Sequence, residues 1–246
     1  MKSKVSIFIG TYKIFTPRVS NDSYTVIYGN HDLSDCPNNY VKCTSDSELD
    51  DKFFSEIYML RNIPENIELG EYVGFCHYRK YFGFMDNIPD LDEAFKKCDI
   101  IVGTPIRFTQ TIKKQYASCH NIDDLEIVTK IIEERYPSYV DLWNSFLNGK
   151  LMFPYNMFIM RRDEFYKYID FVTNILDSFV DEVGTDIRKR IEDNKDKYIK
   201  SFPPNNTFDY QYRIGGYLAE RLTNLWIIKN HKRIMISSIK ITEDKY

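Results

Sequence analysis

The sequence predicts an α/β fold in which a mostly parallel sheet carries helices on both of its faces. Short apolar runs rich in β-branched residues alternate with longer segments whose apolar residues recur at helical spacing. No Pro-, Gly- or Ser-rich linker interrupts this alternation, which favours one domain over residues 1–246. A chain of this length buries a sizeable core without disulfides or a bound metal.

The strand predictions rest on short apolar segments that end at polar or turn residues. They are VSIFIG from Val5, YTVIYG from Tyr24, YVGFCHY from Tyr72, DIIVGTP from Asp99 and YNMFIMRR from Tyr155. VSIFIG follows a charged start, but it is shorter than the roughly 7 apolar residues of a signal peptide, so we interpret it as the first strand. YVGFC and DIIVG are almost continuously apolar, which predicts central strands that are buried on both faces.

The helix predictions rest on apolar stripes between these strands. The stripes run over residues 49–60 after a cap at Ser47, 122–132 before Pro137, 165–179 and 210–225. Residues 181–206 are charge-rich and end in SFPPNN. A solvated helix followed by a loop is the plainer interpretation of that stretch, and a lid beside a site is the alternative.

The composition excludes several classes of protein. The formal net charge is −3, from 33 Lys and Arg against 36 Asp and Glu, so nonspecific nucleic-acid binding is not expected. The sequence has no apolar run of the roughly 18 residues that a transmembrane helix needs. The five cysteines are odd in number and scattered, which favours reduced thiols in the cytoplasm. Peripheral association with the inner face of the membrane stays open.

The sharpest candidate site is GFCHYRKYFGF, in which a predicted buried strand runs into His77, Tyr78, Arg79 and Lys80. In open α/β sheets, ligands bind beyond the carboxyl ends of the strands. Arginine and lysine at that position suit phosphate oxygens, and a tyrosine ring there stacks on a base or sugar. The alternative is that the rings pack in the core while the cations face solvent.

The first predicted strand also ends in polar residues, at Thr11, Tyr12 and Lys13. If it lies beside YVGFC, then Tyr12, Lys13, His77 and Arg79 border one cleft. The phosphate-loop patterns GxGxxG and GxxxxGK[ST] are both missing from the sequence, so an ordinary turn is an equal alternative.

The predicted helix in YRIGGYLAERLTNLWI carries Arg213 and Glu220 on roughly one face. The two residues form either a structural pair or a site in which the arginine binds phosphate and the glutamate acts as a base. Two other clusters suggest an acceptor side: QYASCHNIDDLE, with its loop-to-helix boundary, and PYNMFIMRR, with Asn156 at the start of a strand. Their plainer interpretation is helix capping and the polar end of a core strand.

Several metal and hydrolase chemistries are not indicated. The motifs HExxH, paired CxxC and GxSxG are missing from the sequence, which argues against zinc proteases, zinc ribbons and α/β-hydrolases. The sequence also has no clear Asp-x-Asp at a predicted strand end.

Taken together, YVGFCHYRKYF, NMFIMRRDEF, YxxxH followed by DDLE, and RxxGYLAERLxNLWI resemble the bacterial family catalogued as domain of unknown function 4422. Its members are encoded among capsule and exopolysaccharide genes and are classed as glycosyltransferases. The resemblance extends over nearly the whole chain and includes an acidic, aromatic helix, matched by SEIYMLRN with Glu56, Tyr58 and Asn62. Tyr12 stands where the family usually has histidine.

The resemblance implies a single-domain, Rossmann-like glycosyltransferase fold of the A type, with the acceptor side in its C-terminal half. Such enzymes usually carry a metal-binding Asp-x-Asp after a central strand, where this chain has His77, Tyr78 and Arg79. We expect basic side chains to replace or supplement the metal. No metal ligand is assigned, and a divalent cation, manganese or magnesium, is kept as the alternative cofactor.

The predicted function is transfer of a hexosyl or galactofuranosyl unit from a nucleotide-sugar donor to a growing surface polysaccharide or a lipid-linked glycan. Some relatives transfer galactofuranose, so UDP-linked galactose is the default donor. A non-catalytic carbohydrate- or nucleotide-binding module is the main alternative. A nucleotidyltransferase is a third, but it needs paired carboxylates around a metal.

The candidate residues fall into three groups by role. The donor group is Thr11, Tyr12, Lys13, His77, Tyr78, Arg79, Lys80 and Arg213. The candidate bases are Asp209, Glu220 and Asp124. The acceptor group is Tyr116, His120 and Asn156.

Overall fold

A computed structural model describes residues 4–30, 33, 35–44, 51–200, 203 and 206–242. The strands are β1 (Val5–Thr11), β2 (Tyr24–Tyr28), β3 (Tyr40–Lys42), β4 (Tyr72–His77), β5 (Lys80–Phe82), β6 (Ile100–Gly103), β7 (Ile106–Arg107), β8 (Leu151–Met152), β9 (Phe158–Arg161), β10 (Ile234–Ser237) and β11 (Ile239–Ile241). The helices are α1 (Asp51–Phe54), α2 (Glu56–Asn66), α3 (Leu91–Lys97), α4 (Ile112–Cys119), α5 (Ile122–Arg135), α6 (Val140–Asn148), α7 (Arg162–Val183), α8 (Ile187–Asp193), α9 (Lys195–Tyr198), α10 (Phe208–Gln211) and α11 (Ile214–Asn230).

The main sheet has the strand order β10-β6-β9-β4-β1-β2-β3, and β5 joins it at the end of β4 and pairs with β11. The pairs β1–β2, β1–β4, β2–β3 and β6–β10 are parallel, whereas β9 runs antiparallel to both β4 and β6. The central position predicted for YVGFC is confirmed, because β4 lies between β1 and β9. The predicted α/β class with a mostly parallel sheet is therefore confirmed.

Helices cover both faces of the sheet unequally. Successive residues of β1 point to opposite faces, so Phe8 enters one core while Ile7 and Ile9 enter the other. The larger core holds the buried faces of α2, α5, α7 and α11, and the smaller core holds α3 through Leu91 and Phe95. Because both faces are buried, the central strands are apolar at nearly every position.

The segment from Tyr155 differs from its predicted strand. β9 begins only at Phe158, and Tyr155 and Asn156 have φ values of 70° and 50°. A left-handed backbone does not continue a strand, so Asn156 lies in a turn before the strand. The turn places both residues next to the end of β4, where the candidate site lies.

Three predicted helical stretches are divided. The stretch over residues 210–225 lies in α10 and α11, which are separated at Tyr212 and Arg213. The stripe over residues 49–60 splits into α1 and α2 at Ser55, whose φ is 52°; Ser47 and Leu49 lie outside the described residues. The charge-rich stretch forms the end of α7, then α8 and α9, and buries Ile187, Ile191 and Tyr198. These three side chains pack on the larger core, whereas most charged residues of α8 and α9 are exposed, as the expectation of a solvated helix requires.

Candidate active site

The ends of β1 and β4 lie side by side, as the shared-cleft interpretation requires. Gly10 pairs with His77 in register, and the Tyr78 N–H donates to the Gly10 carbonyl at 3.2 Å. Lys13 Nζ lies 5.3 Å and the Arg79 guanidinium carbon 5.0 Å from the centre of the Tyr78 ring. The structure thus brings Lys13, Tyr78 and Arg79 together on the rim of this edge of the sheet.

Thr11 turns inward at the end of β1. Its side chain is buried, and its Oγ1 donates to the Lys13 carbonyl at 2.6 Å and accepts from the Lys13 N–H at 3.1 Å. These contacts are typical of a threonine that closes a turn through its own hydroxyl. The structure therefore gives Thr11 a turn-forming role in place of the predicted ligand contact.

Arg213 reaches this edge from the residue before α11. Its Nε donates to Ser55 Oγ at 3.0 Å, and its guanidinium carbon lies 5.7 Å from the Tyr12 ring centre and 5.8 Å from the Tyr217 ring centre. About 39% of the Arg213 side chain is exposed. The guanidinium is held between rings and still faces the cleft, which suits binding of an anion.

The approach of α11 to the break between α1 and α2 depends on glycine. A Cβ on Gly216 would lie 2.6 Å from Ser55 Oγ and 2.7 Å from Ser55 Cβ. The close packing of Gly216 on Ser55 places the hydroxyl of Ser55 under Arg213. Sequence reasoning selected Arg213 but could not identify Ser55 as its partner, 158 residues earlier in the chain.

The turn at Tyr155 and Asn156 connects three polar side chains at the end of β4. His77 Nε2 lies 2.7 Å from the Tyr155 carbonyl oxygen, and the Tyr155 N–H donates to Glu220 Oε1 at 3.0 Å. Asn156 Nδ2 donates to Glu56 Oε1 at 2.9 Å. Two consecutive left-handed residues are strained and persist where the surroundings determine them, which is common at functional sites.

The protonation states of His77 and Lys80 follow from their surroundings. Burial lowers the pKa of His77, although the Glu56 charge opposes this shift. A carbonyl oxygen only accepts, so the neutral ring carries its proton on Nε2. Lys80 Nζ lies 4.2 Å from the centre of the Tyr155 ring, and burial together with the Arg79 charge lowers the pKa of Lys80.

Glu220 is the one of the three predicted bases that lies in this site. About 20% of its side chain is exposed, and Arg221 Nη1 lies 3.2 Å from its Oε2. Burial raises the pKa of Glu220, with the Arg221 charge opposing and the Glu56 charge reinforcing the rise. A raised pKa brings a carboxylate toward the range where it exchanges protons at neutral pH.

The structure separates the other two predicted bases from this cluster. Asp209 is 71% exposed and forms an ion pair with Lys52 at 2.6 Å, and that pairing lowers the pKa of its carboxyl. Asp124 is buried and accepts from Arg190 at 2.7 Å and from the Tyr198 hydroxyl at 2.9 Å. Asp209 is therefore a weaker proton acceptor than Glu220. Asp124 instead connects α8 and α9 to α5 through its hydrogen bonds.

The predicted acceptor residues are buried among protein groups. Tyr116 is 0% exposed and His120 is 4% exposed. The His120 ring stacks on Tyr217, with the ring centres 4.0 Å apart, and lies 5.8 Å from the centre of the Tyr210 ring. Burial lowers the pKa of His120 to about 3. Tyr116 and His120 therefore contribute to packing behind the site and do not form an acceptor surface.

Asn156 is also buried, but it contacts the site directly through Glu56. Glu56 was not selected as a site residue, although it belongs to the acidic, aromatic helix on which the family resemblance partly rests. That motif is the feature of the sequence that points to Glu56 as a site residue. Tyr155 carried no sequence signal, because its role comes from its backbone groups.

Metal-ligating side chains do not gather in the described part of the chain. Within the described residues, no group of three or more His, Cys, Asp or Glu side chains could hold a metal ion. His77 Nε2 and Glu56 Oε1 are 3.9 Å apart, but the same nitrogen is bonded to the Tyr155 carbonyl.

The sheet order, the antiparallel direction of β9 and the polar cluster at the end of β4 are typical of a Rossmann-like α/β fold, in which ligands bind beyond the carboxyl ends of the strands. The chain belongs to the family described as Domain of unknown function (DUF4422), which matches residues 7–231. The family resemblance noted from the motifs is therefore confirmed.

Among solved structures, the chain is similar to the apo structure of the WbbM bifunctional glycosyltransferase, with a TM-score of 0.68 and 19% sequence identity. The match covers 98% of this chain and 46% of that one, so this chain spans about half the length of its structural relative. The two share a fold over the matched part of that chain. No protein of curated function matches the sequence. In the described part of the chain, no helix is both long and apolar enough to cross a membrane.

Proposed function

We propose that this protein is a glycosyltransferase that takes a sugar from a nucleoside-diphosphate donor, UDP-linked by default. The observation that carries the proposal is that two cations and a carboxylate gather at the carboxyl end of β4. Lys80 Nζ lies 4.2 Å from the centre of the Tyr155 ring, the Tyr155 N–H donates to Glu220, and Arg213 lies beside Glu56. Glycosyl transfer needs cations for a leaving diphosphate and, when the anomeric centre inverts, a carboxylate for the hydroxyl proton.

In the proposed reaction, the acceptor hydroxyl oxygen bonds to the anomeric carbon while the bond from that carbon to the diphosphate oxygen breaks. The electron pair leaves with the diphosphate, whose growing charge is stabilised by Arg213 and Lys80. Lys13 and Arg79 attract the nucleotide from the rim. Glu220 takes the hydroxyl proton, and its raised pKa favours that transfer.

The acceptor and location that we propose rest on the family resemblance. The acceptor is a growing surface polysaccharide or a lipid-linked glycan, and the enzyme works in the cytoplasm at the inner face of the membrane. The transferred unit is a galactosyl or galactofuranosyl residue.

A ligand screen followed by a hydrolysis assay tests the proposal. A ligand at a hundred times its Kd stabilises the folded protein by about 2.7 kcal/mol, so UDP and UDP-galactose should raise the Tm clearly. Slow release of galactose from UDP-galactose should follow, and it should persist in EDTA. Binding without turnover would favour a non-catalytic binding module, and loss in EDTA with rescue by manganese would contradict the role of the basic residues.

A further inference from the structure

One oxygen of the Glu56 carboxylate accepts a hydrogen bond from a neighbouring side chain, and the other oxygen accepts none within the described residues. The Glu56 side chain is 6% exposed, and Oε1 accepts from Asn156 Nδ2 at 2.9 Å. Oε2 has no hydrogen-bond partner among the residues that the structure describes, and Arg213 Nη2 lies 3.9 Å from it. Leaving a buried carboxylate oxygen unpaired is costly, so its retention points to a partner that arrives with a ligand.

A chain of buried hydrogen bonds fixes the orientation of Glu56. Asn156 Oδ1 accepts from Thr223 Oγ1 at 2.7 Å, and Tyr168 Oη lies 2.9 Å from the same threonine oxygen. Because the threonine proton is used on Asn156, the Tyr168 hydroxyl donates to Thr223. Both ends of the Asn156 amide are occupied, so it cannot flip, and the direction of Glu56 Oε2 is set from α7 and α11.

The neighbouring carboxylate does not offer the same free oxygen. Glu220 Oε1 accepts from the Tyr155 N–H, and Glu220 Oε2 pairs with Arg221. Each carboxylate oxygen has two lone pairs, so Glu220 keeps the capacity to take a proton, whereas Glu56 Oε2 has no hydrogen-bond partner among the described residues. Under the proposed function, Arg213 holds the diphosphate, and the group next to a diphosphate in a nucleotide sugar is the sugar ring with its hydroxyls.

We propose that Glu56 binds a hydroxyl of the donor sugar through Oε2 and that Asn156 is the positioning residue that aims it. This inference rests on the proposed function and names its substrate class. A carboxylate accepts a hydroxyl proton but repels another carboxylate. The site therefore takes a neutral hexosyl donor and rejects a uronic acid donor.

Calorimetric titration with UDP, UDP-galactose and UDP-glucuronate tests the sugar contact. Glu56→Gln should weaken UDP-galactose binding by about 10- to 100-fold, the range for a hydrogen bond to a charged group, and should leave UDP binding unchanged. The same variant should narrow the preference for UDP-galactose over UDP-glucuronate. Glu126→Gln, an exposed glutamate paired with Lys113, serves as the matched control and should change none of these constants.

Variants that reverse the hydrogen bond between residues 56 and 156 distinguish a substrate contact of Glu56 from a purely structural role. Asn156→Asp sets two carboxylates against each other, so it should lower the Tm and weaken UDP-galactose binding. Combining it with Glu56→Gln restores a hydrogen bond in the opposite direction, because the glutamine donates to the aspartate. The Tm should recover in the double variant, and UDP-galactose binding should recover in part, because the glutamine carbonyl oxygen then lies where Glu56 Oε2 lay and accepts the sugar hydroxyl. A Tm that recovers while UDP-galactose binding stays as weak as in Glu56→Gln alone would overturn the proposal.

The two proposals fail in different ways. Absence of binding of both UDP and UDP-galactose to the unaltered protein would overturn the proposed function and this inference with it. Normal binding of both ligands, with UDP-galactose unaffected by Glu56→Gln or with UDP weakened equally, would overturn the sugar contact alone.

Discussion

Arg190 donates to one oxygen of the buried Asp124 carboxylate through both Nη2, at 2.7 Å, and Nε, at 3.3 Å. This pair joins α8 to the first turn of α5. Burial raises the pKa of Asp124 to about 6 in spite of the arginine. An acidic group whose pKa is raised by folding binds protons better in the folded protein, so its contribution to stability declines as pH rises between about 4 and 6.

Asp124→Asn removes that titration and keeps an acceptor oxygen for Arg190. The free energy of unfolding of the variant, relative to the unaltered protein, should rise by about 3 kcal/mol between pH 3 and pH 7, since two pKa units correspond to about that energy. Urea titrations at several pH values measure it. Asp209→Asn is the control: the pKa of Asp209 is lowered, so any change there should be small and of opposite sign. If the free energies of unfolding of Asp124→Asn and of the unaltered protein differ by the same amount at every pH, the raised pKa of Asp124 is contradicted.

Arg213→Lys should keep the fold and lose activity. Lysine retains the charge but loses the planar fork that binds phosphate oxygens in pairs, and loss of one preorganised donor costs about 10²–10³ in kcat. Turnover of UDP-galactose and the Tm are measured together.

Arg161 provides the matched control for Arg213. It is 42% exposed against 39% for Arg213, it also lies over aromatic rings, and it sits at the opposite end of the sheet, paired with Tyr72 of β4. Arg161→Lys should leave turnover unchanged. Equal losses in the two variants would show that the effect of Arg213→Lys is not specific to the site.

Lys80 should make UDP binding sensitive to alkaline pH. Its pKa is lowered mainly by burial, so it loses its charge at a lower pH than an exposed lysine does. The Kd for UDP should therefore increase as pH rises toward 10 in the unaltered protein. Lys80→Arg keeps its charge over this range and should bind UDP with a flat profile, whereas Lys80→Met should bind weakly at every pH. An unchanged alkaline rise in Lys80→Arg would exclude Lys80 as its source.

Gly216→Ala should disturb the contact between Arg213 and Ser55. The new methyl group would overlap Ser55, and overpacking of this kind costs about 1–3 kcal/mol of stability. The Tm should fall, and UDP binding should weaken with the loss of the Arg213–Ser55 hydrogen bond. Adding Ser55→Gly relieves the overlap and suits the positive φ at that position, so the Tm should recover while UDP binding stays weak.

Much of the site was visible in the sequence as polar residues at strand ends. His77, Tyr78, Arg79 and Lys80 follow β4 directly, and Lys13 follows β1, so pairing of these strands brought them together. Arg213 and Glu220 were also selected, because polar residues on an otherwise apolar helix are conspicuous. The sequence also marked Asp124, Tyr116 and His120 as candidate site residues. In the structure all three are buried inside the protein.

The sequence by itself determined the α/β class and the polar strand ends, since apolar periodicity and the residues that follow a strand are local properties. Only the tertiary structure decided that β9 runs against its neighbours, that Tyr155 and Asn156 form a turn, and that Glu56 meets Asn156 across 100 residues of chain. The physical reason is that strand direction and buried polar contacts depend on which surfaces pack together, and periodicity carries no information about the partner.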